Sequence, residues 1–201
     1  MKRPRRLIRL LAATLLSAAA GAVAPRAAHA TGGGEAIEKP VRTLISAVRY
    51  GKDSLALGSL DGERQAQALL AADFDKASPA QRAEFVMLFH RLFAAMAFPK
   101  IRADFQHLET ILYEPATVAG DRAEMGSTLV ILHPMKKQEI KLRYALAKGD
   151  KGWKVVDVTI VGDKSMLTNI RNDQVGPILK EGGFSLLLEL MRKRAAEISP
   201  K

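Results

Sequence analysis

The sequence predicts an α+β domain, a twisted four-stranded antiparallel sheet enclosed by N- and C-terminal helices. Three observations carry that expectation. Apolar residues recur at helical spacing before residue 105, alternate with polar ones at period two between 105 and 161, and return to helical spacing from Ser165. The candidate strands, 105–113, 122–132, 138–147 and 153–161, follow one another with no intervening helix, the pattern of an antiparallel meander.

The N-terminal stretch stands apart from this domain. Lys2, Arg3, Arg5, Arg6 and Arg9 precede the apolar run Leu10–Ala24, and Ala28-His29-Ala30 supplies a small-x-small cleavage site. The run is shorter than the roughly 20 residues that span a bilayer, so residues 1–30 read as a cleaved signal peptide and 31–201 as one domain. Arg5-Arg6 sits in a generic context, and no cofactor motif follows that would need folding before export, which favours the general secretion route. Thr31 occupies the place where a lipoprotein needs Cys to carry its acyl anchor. The expected location is periplasmic.

Composition excludes several classes of function. The 201 residues are 48% hydrophobic and 26% charged, too apolar for a disordered chain. With no Cys there is no disulfide framework, no thiolate metal site and no cysteine nucleophile. The net charge of +10 falls to +4 once residues 1–30 are removed, leaving 25 basic against 21 acidic residues. That density is too low for a nucleic-acid partner, although a mildly basic surface suits acidic lipid headgroups.

Along the mature chain, Thr31-Gly32-Gly33-Gly34 reads as a flexible leader. Pro40 suits the first turn of a helix carrying Val41, Leu44, Ile45 and Val48. Ser78-Pro79-Ala80-Gln81 is a helix start, with Ser as N-cap, Pro at the first helical position and Gln three residues on. Phe85, Leu88, Phe89, Leu92, Phe93 and Met96 then form one apolar stripe, read first as a core-facing helix. In the third strand Ile140, Leu142, Tyr144 and Leu146 alternate with Glu139, Lys141, Arg143 and Ala145. In the fourth, Val156, Val158 and Ile160 are expected on one face and Trp153, Asp157 and Thr159 on the other. The last helix carries Phe184, Leu187, Leu188 and Met191, with Arg192, Lys193 and Arg194 near its C-terminus.

Catalytic signatures are missing. His29 leaves with the signal peptide, and His90, His107 and His133 have no metal-ligand spacing, so they read as structural or surface residues. Gly51-Lys52 lacks the leading Gly of a phosphate loop, where Ser46 stands, and Gly183-Phe184-Ser185 lacks the second Gly of a nucleophile elbow. No cofactor, metal or catalytic group is expected.

The order of these features resembles the MlaC/toluene-tolerance family. The resemblance rests on Ser78-Pro79-x-Gln81-Arg82-x-x-Phe85, Gly152-Trp153-Lys154-Val155-Val156-Asp157-Val158, Gly162, Ser165-Met166-Leu167, Asn169, Arg171 and Gly182. It covers nearly all of the mature chain. One departure is Asp163-Lys164, two residues where the family usually has one. The resemblance implies a cone-shaped sheet of the NTF2-like kind and a soluble, non-catalytic periplasmic carrier. Its ligand would be a phospholipid or another two-tailed or polycyclic lipid, such as a hopanoid. Its partners would be an outer-membrane lipoprotein complex and an inner-membrane ATP-driven (ABC) permease complex with a lipid-binding subunit.

The residues suit such a role. A greasy, inert hollow is expected between the apolar sheet face (Leu129, Ile131, Leu142, Tyr144, Val156, Val158) and the helical residues Phe89, Phe93, Met96, Met166, Leu187 and Met191. Methionine adapts there to tails of varying shape. Trp153 and Asp157 read as structural, and Lys136, Lys137, Lys180 and Arg192–Arg194 as a solvated charged face or a site for headgroups or an acidic partner. Two other readings stay open. One is an enzyme using Asp157 or Glu109 as a general base in an apolar cleft; the other is a scaffold whose stripes form only a filled core or a partner groove.

Overall fold

The computed structural model describes residues 33–198; the expected signal peptide lies outside them. In chain order the elements are α1 (Gly33–Arg49), α2 (Asp53–Gly58), α3 (Gly62–Leu70), α4 (Ala72–Lys76), α5 (Pro79–Phe105), β1 (Leu108–Tyr113), β2 (Thr117–Ala119), β3 (Arg122–His133), β4 (Lys136–Gly149), β5 (Gly152–Ile160), α6 (Met166–Ile170) and α7 (Gly176–Ile198). A π-helical turn, Arg171–Val175, joins α6 to α7. The fold class is the expected one, an antiparallel sheet between N- and C-terminal helices, with strand order β1-β3-β4-β5 and β2 also paired to β3.

The sheet has five strands where four were expected, because its first edge is interrupted. β1 pairs with Ser127–Ile131 and β2 with Arg122–Glu124, so both lie along β3 in a single lane. Glu114 continues the ladder by donating its N–H to the Gly126 carbonyl at 2.9 Å. Pro115 follows it and has no amide hydrogen to donate, which breaks the edge. The first strand also begins at Leu108, not at 105. Phe105 ends α5 and is buried in the core with Phe98, one more apolar turn of that helix.

Helix α1 starts at Gly33, seven residues before the expected start at Pro40. Ile37 explains the extension: it is buried one turn ahead of Val41 and lengthens the same stripe through Ile45 and Val48. Pro40 is therefore inside the helix, and buried there.

The start of α5 is as expected. Gln81 donates its N–H to Ser78 Oγ at 3.2 Å, and Ser78 donates its own to Gln81 Oε1 at 2.9 Å. The apolar stripe is not continuous along it, however. Phe85, Leu88 and Phe89 are buried against α3, the π turn and α7, whereas further on Ala94, Phe98 and Phe105 are buried against α1 and the sheet. The helix changes partners partway along, so its buried face rotates and Met96 is left 49% exposed.

α7 is broken at Gly183, whose φ of 69° and ψ of −166° are open to glycine alone among the common residues. The break re-aims Phe184–Ile198 onto α5, where Arg192 clasps Glu84 through two bonds of 2.6 and 2.8 Å. Arg194 pairs within its own helix with Glu197.

Candidate lipid-binding site

The site begins from the inner face of the sheet. In β3 this face carries Ala123, Met125, Ser127, Leu129 and Ile131, all buried. Across β4 it continues through Leu146, Tyr144, Leu142 and Ile140 in the expected alternation. In β5 the register shifts between the pairs at Ala145 and Leu146, so that Val158 faces Tyr144 while Val155 faces Leu146. One residue of slip moves a side chain to the opposite face. Val156 therefore does not share a face with Val158; it packs with the helical cluster, and Trp153 packs with the sheet cluster instead of lying beside Asp157.

A polar band crosses this apolar face. Ser127 and Tyr144 are 0% and 2% exposed, and their hydroxyls meet at 2.8 Å, so each supplies the partner that a buried polar group requires. Burial pushes the Tyr144 phenol well above its ordinary range, outweighing the Ser127 hydrogen bond, so it stays protonated. Tyr113 lies opposite Ser127 on β1 and carries the Arg42 guanidinium over its ring, 4.1 Å from the centroid. Arg42 in turn pairs with Glu38 on α1.

The apolar interior forms two clusters. The first joins α1 and the end of α5 to the sheet; the second joins α3, α5, α6 and α7. Phe93 packs against both. It is also a link in a run of rings, Phe184, Phe85, Phe89, Phe93 and Phe98, with successive centroids 6.1, 6.1, 5.8 and 5.5 Å apart. Towards the β3–β4 turn the inner face thins out: Ile140, Leu142 and Val158 are half-buried and Ile160 is 50% exposed.

The twelve residues expected to line one hollow are thus divided. Leu129, Ile131, Leu142, Tyr144 and Val158 belong to the sheet cluster; Phe89, Val156, Met166, Leu187 and Met191 belong to the helical one; Phe93 joins them and Met96 lies outside. Two surface clefts are lined by none of the twelve. One of about 240 Å³ lies between Glu38 on α1 and Tyr113, Glu114, Pro115, Ala116 and Met125; the other, of about 580 Å³, lies between α3, α4 and α5 at Glu63, Phe74, Arg82 and Met87. At the junction of the clusters Phe93 stacks on Phe89 and meets Phe98 edge-on.

Asp157 holds structure together. Its Oδ1 accepts the N–H groups of Val158 at 2.8 Å and Leu167 at 3.1 Å, tying α6 to β5. Ser165 caps the same helix by accepting from Thr168 N–H, and Gly162, at φ +100°, provides the turn between strand and cap. Glu109 is exposed on the edge strand. His90 is structural, bonded to the buried Gln65 at 2.8 Å, whereas His107 and His133, distant in sequence, bring their rings to 4.9 Å. Ser127 and Tyr113 were missed as inner-face residues. Strand parity marks Ser127, since Met125 and Leu129 flank it at i−2 and i+2.

A solved protein shares this fold. The phospholipid-binding protein of Ralstonia solanacearum, solved in complex with a phospholipid, superposes with a TM-score of 0.63 at 19% identity, covering 83% of this chain and 98% of that one. A SEC-C motif containing protein of Rhodopseudomonas palustris matches at a TM-score of 0.39 and 12% identity, over 62% of this chain and 77% of that one. No curated protein matches the sequence. The MlaC protein family matches residues 49–193, from the end of α1 to the last turns of α7, and on that match the chain belongs to the MlaC family.

Proposed function

We infer that the protein is a non-catalytic phospholipid carrier that works between two membranes, taking lipid from one membrane-bound complex and yielding it to another. The observation that carries this reading is membership of the MlaC family combined with the fold shared with a phospholipid-bound protein. The inner sheet face supports it. Aliphatic side chains dominate that face, the buried Ser127 and Tyr144 hydroxyls satisfy each other, and Asp157 is engaged with the Val158 and Leu167 amides.

Occupancy requires the two clusters to part. The clefts of about 240 and 580 Å³ border neither Phe93 nor Ile140, Leu142 or Val158, so a tail seated among these side chains enters where the two clusters part. The junction at Phe93 is where parting exposes apolar surface on both sides, and the half-buried Ile140, Leu142 and Val158 form its rim. Candidate tail-binding residues are Phe89, Phe93, Leu129, Ile131, Leu142, Tyr144, Val156, Val158, Met166, Leu187 and Met191.

The energy scale explains why partners are needed. At about 0.8 kcal/mol per buried CH₂, two tails of roughly 16 carbons represent some 25 kcal/mol of water avoidance. A lipid therefore does not leave unassisted, and the carrier must match most of what a bilayer supplies. Transfer is then nearly balanced, and its direction is set by docking or by an ATP-driven permease at the inner membrane. Residues 1–30, acting as a signal peptide, place the carrier in the periplasm.

Native mass spectrometry of the purified protein tests the reading. A carrier retains phospholipid in stoichiometric amount. A ligand-free protein that also fails to take lipid from vesicles identifies a scaffold with a filled core.

A further inference from the structure

We propose that the β3–β4 turn, Leu132–Lys137, is a docking tip for the surface of an anionic lipid bilayer. This rests on the carrier reading, to which it adds the kind of surface the protein meets.

The hairpin outruns β5. β4 begins to pair with β5 only at Leu142, opposite Ile160, so Lys136 to Ile140 have β3 alone beside them. At roughly 3.3 Å per residue, the turn stands about 20 Å beyond the end of β5. It is also braced: Leu132 donates its N–H to the His107 carbonyl at 2.8 Å, and the His107 and His133 rings meet beneath it. The tip therefore projects as a supported arm.

Its chemistry is that of a wedge with a basic collar. Met135 is 98% exposed, the most exposed large apolar side chain among the described residues, and Leu132 is 42% exposed. Pro134 presets the first turn position. From Leu132 to Arg143 the chain carries Lys136, Lys137, Lys141 and Arg143 against the single acid Glu139, which pairs with Lys137 at 3.0 Å.

Lysines along an unpaired edge are an ordinary guard against strand addition. That accounts for the charge but not for a fully exposed thioether where Gly, Asn or Asp is the usual turn residue. An apolar tip flanked by Lys136 and Lys137 matches the two layers of an anionic bilayer, headgroups outside and hydrocarbon below. A protein partner is less well matched, since a stable interface covers about 800 Å² on each side and this tip is narrow and convex. The inner face of the same arm leads from Lys136 and Gln138 into Ile140 and Leu142, so docking here aims the rim of the interior at the membrane from about 20 Å away.

The test is co-sedimentation of the exported form of the protein with mixed phosphatidylglycerol–phosphatidylcholine vesicles, and with phosphatidylcholine vesicles alone. Preference for the anionic vesicles, lost at high salt, is expected. Lys136→Gln with Lys137→Gln lowers partitioning by about 30-fold, at about fivefold per lysine. Met135→Asp lowers it by about tenfold or more, as expected for losing a buried methionine. Neither variant should change bound lipid in native mass spectra or the melting temperature, because both sites are exposed. Wild-type binding to both vesicle types alike, no binding to either, or variants that bind as wild type does would each overturn the proposal; vesicle-independent capture by an acidic protein through Lys136 and Lys137 would replace it. A protein that carries lipid but does not dock by this tip sinks this inference alone, whereas one that docks but never holds lipid sinks the carrier reading and leaves the docking tip standing.

Discussion

His90 on α5 donates from Nε2 to Gln65 Oε1 on α3 at 2.8 Å, and the tautomer is fixed by a third group. Gln65 Nε2 donates to the Val156 carbonyl at 3.0 Å, which turns its oxygen towards the imidazole. One fully buried amide thus ties together two helices and β5, at the strand position where the register shifts.

Burial, helped by the nearby Lys154 charge, holds the His90 pKa below its ordinary 6.5. The folded state favours the neutral ring, so the unfolded chain binds the extra proton first. The stabilisation is complete above the unfolded value and is lost as pH falls below 6.5 towards the folded one. Urea denaturation between about pH 7.5 and about pH 5 should show this loss of stability, and His90→Gln should flatten that part of the curve.

Gly62, at the first position of α3, faces the same contact. A Cβ there would strike Val86 Cγ1 and lie 2.9 Å from His90 Cε1. Gly62→Ala should therefore destabilise by about 1–3 kcal/mol despite alanine's better helix propensity. Thermal melts of G62A in the wild-type and Val86→Ala backgrounds check the cause, since trimming Val86 should recover part of the loss.

Tyr144→Phe removes the partner of a hydroxyl that is fully buried. The stranded Ser127 should cost about 1–3 kcal/mol, and adding Ser127→Ala should return much of it, because two apolar groups leave nothing unpaired. Chemical denaturation of the two single variants and the double variant measures the coupling.

Phe93 separates packing from carriage. Phe93→Ala should lower stability by about 3 kcal/mol, the low end for a phenylalanine that is only half-buried. Phe93→Trp adds bulk at the junction of the two clusters and should reduce the lipid retained per protein, read by native mass spectrometry beside a melting curve. Unchanged retention would remove Phe93 from the tail-binding residues.

Asp157→Asn keeps an oxygen for the Val158 and Leu167 amides and should be nearly neutral, whereas Asp157→Ala should cost about 1 kcal/mol through the lost cap. Neither should alter lipid retention. A hydrolytic activity that D157N abolished at unchanged stability would instead establish this carboxylate as a general base.

Much of the architecture was legible in the chain itself. Ser78 and Gln81 announce the start of α5 because a capping box satisfies amides within four residues, and the Ile140-to-Leu146 alternation marks the buried face because pleating is local. The helix–sheet–helix order and the family resemblance follow from such local signals. Tertiary structure decided which partner each apolar face meets. The stripe on α5 cannot reveal that the helix leaves α7 for the sheet near Phe93, which exposes Met96 and buries Phe98. Alternation in β5 cannot reveal a one-residue slip against β4, which sends Val156 to the helices and Trp153 to the sheet. Periodicity records that a face is apolar; only the packed chain fixes its register and its neighbours, because both depend on residues far away in sequence.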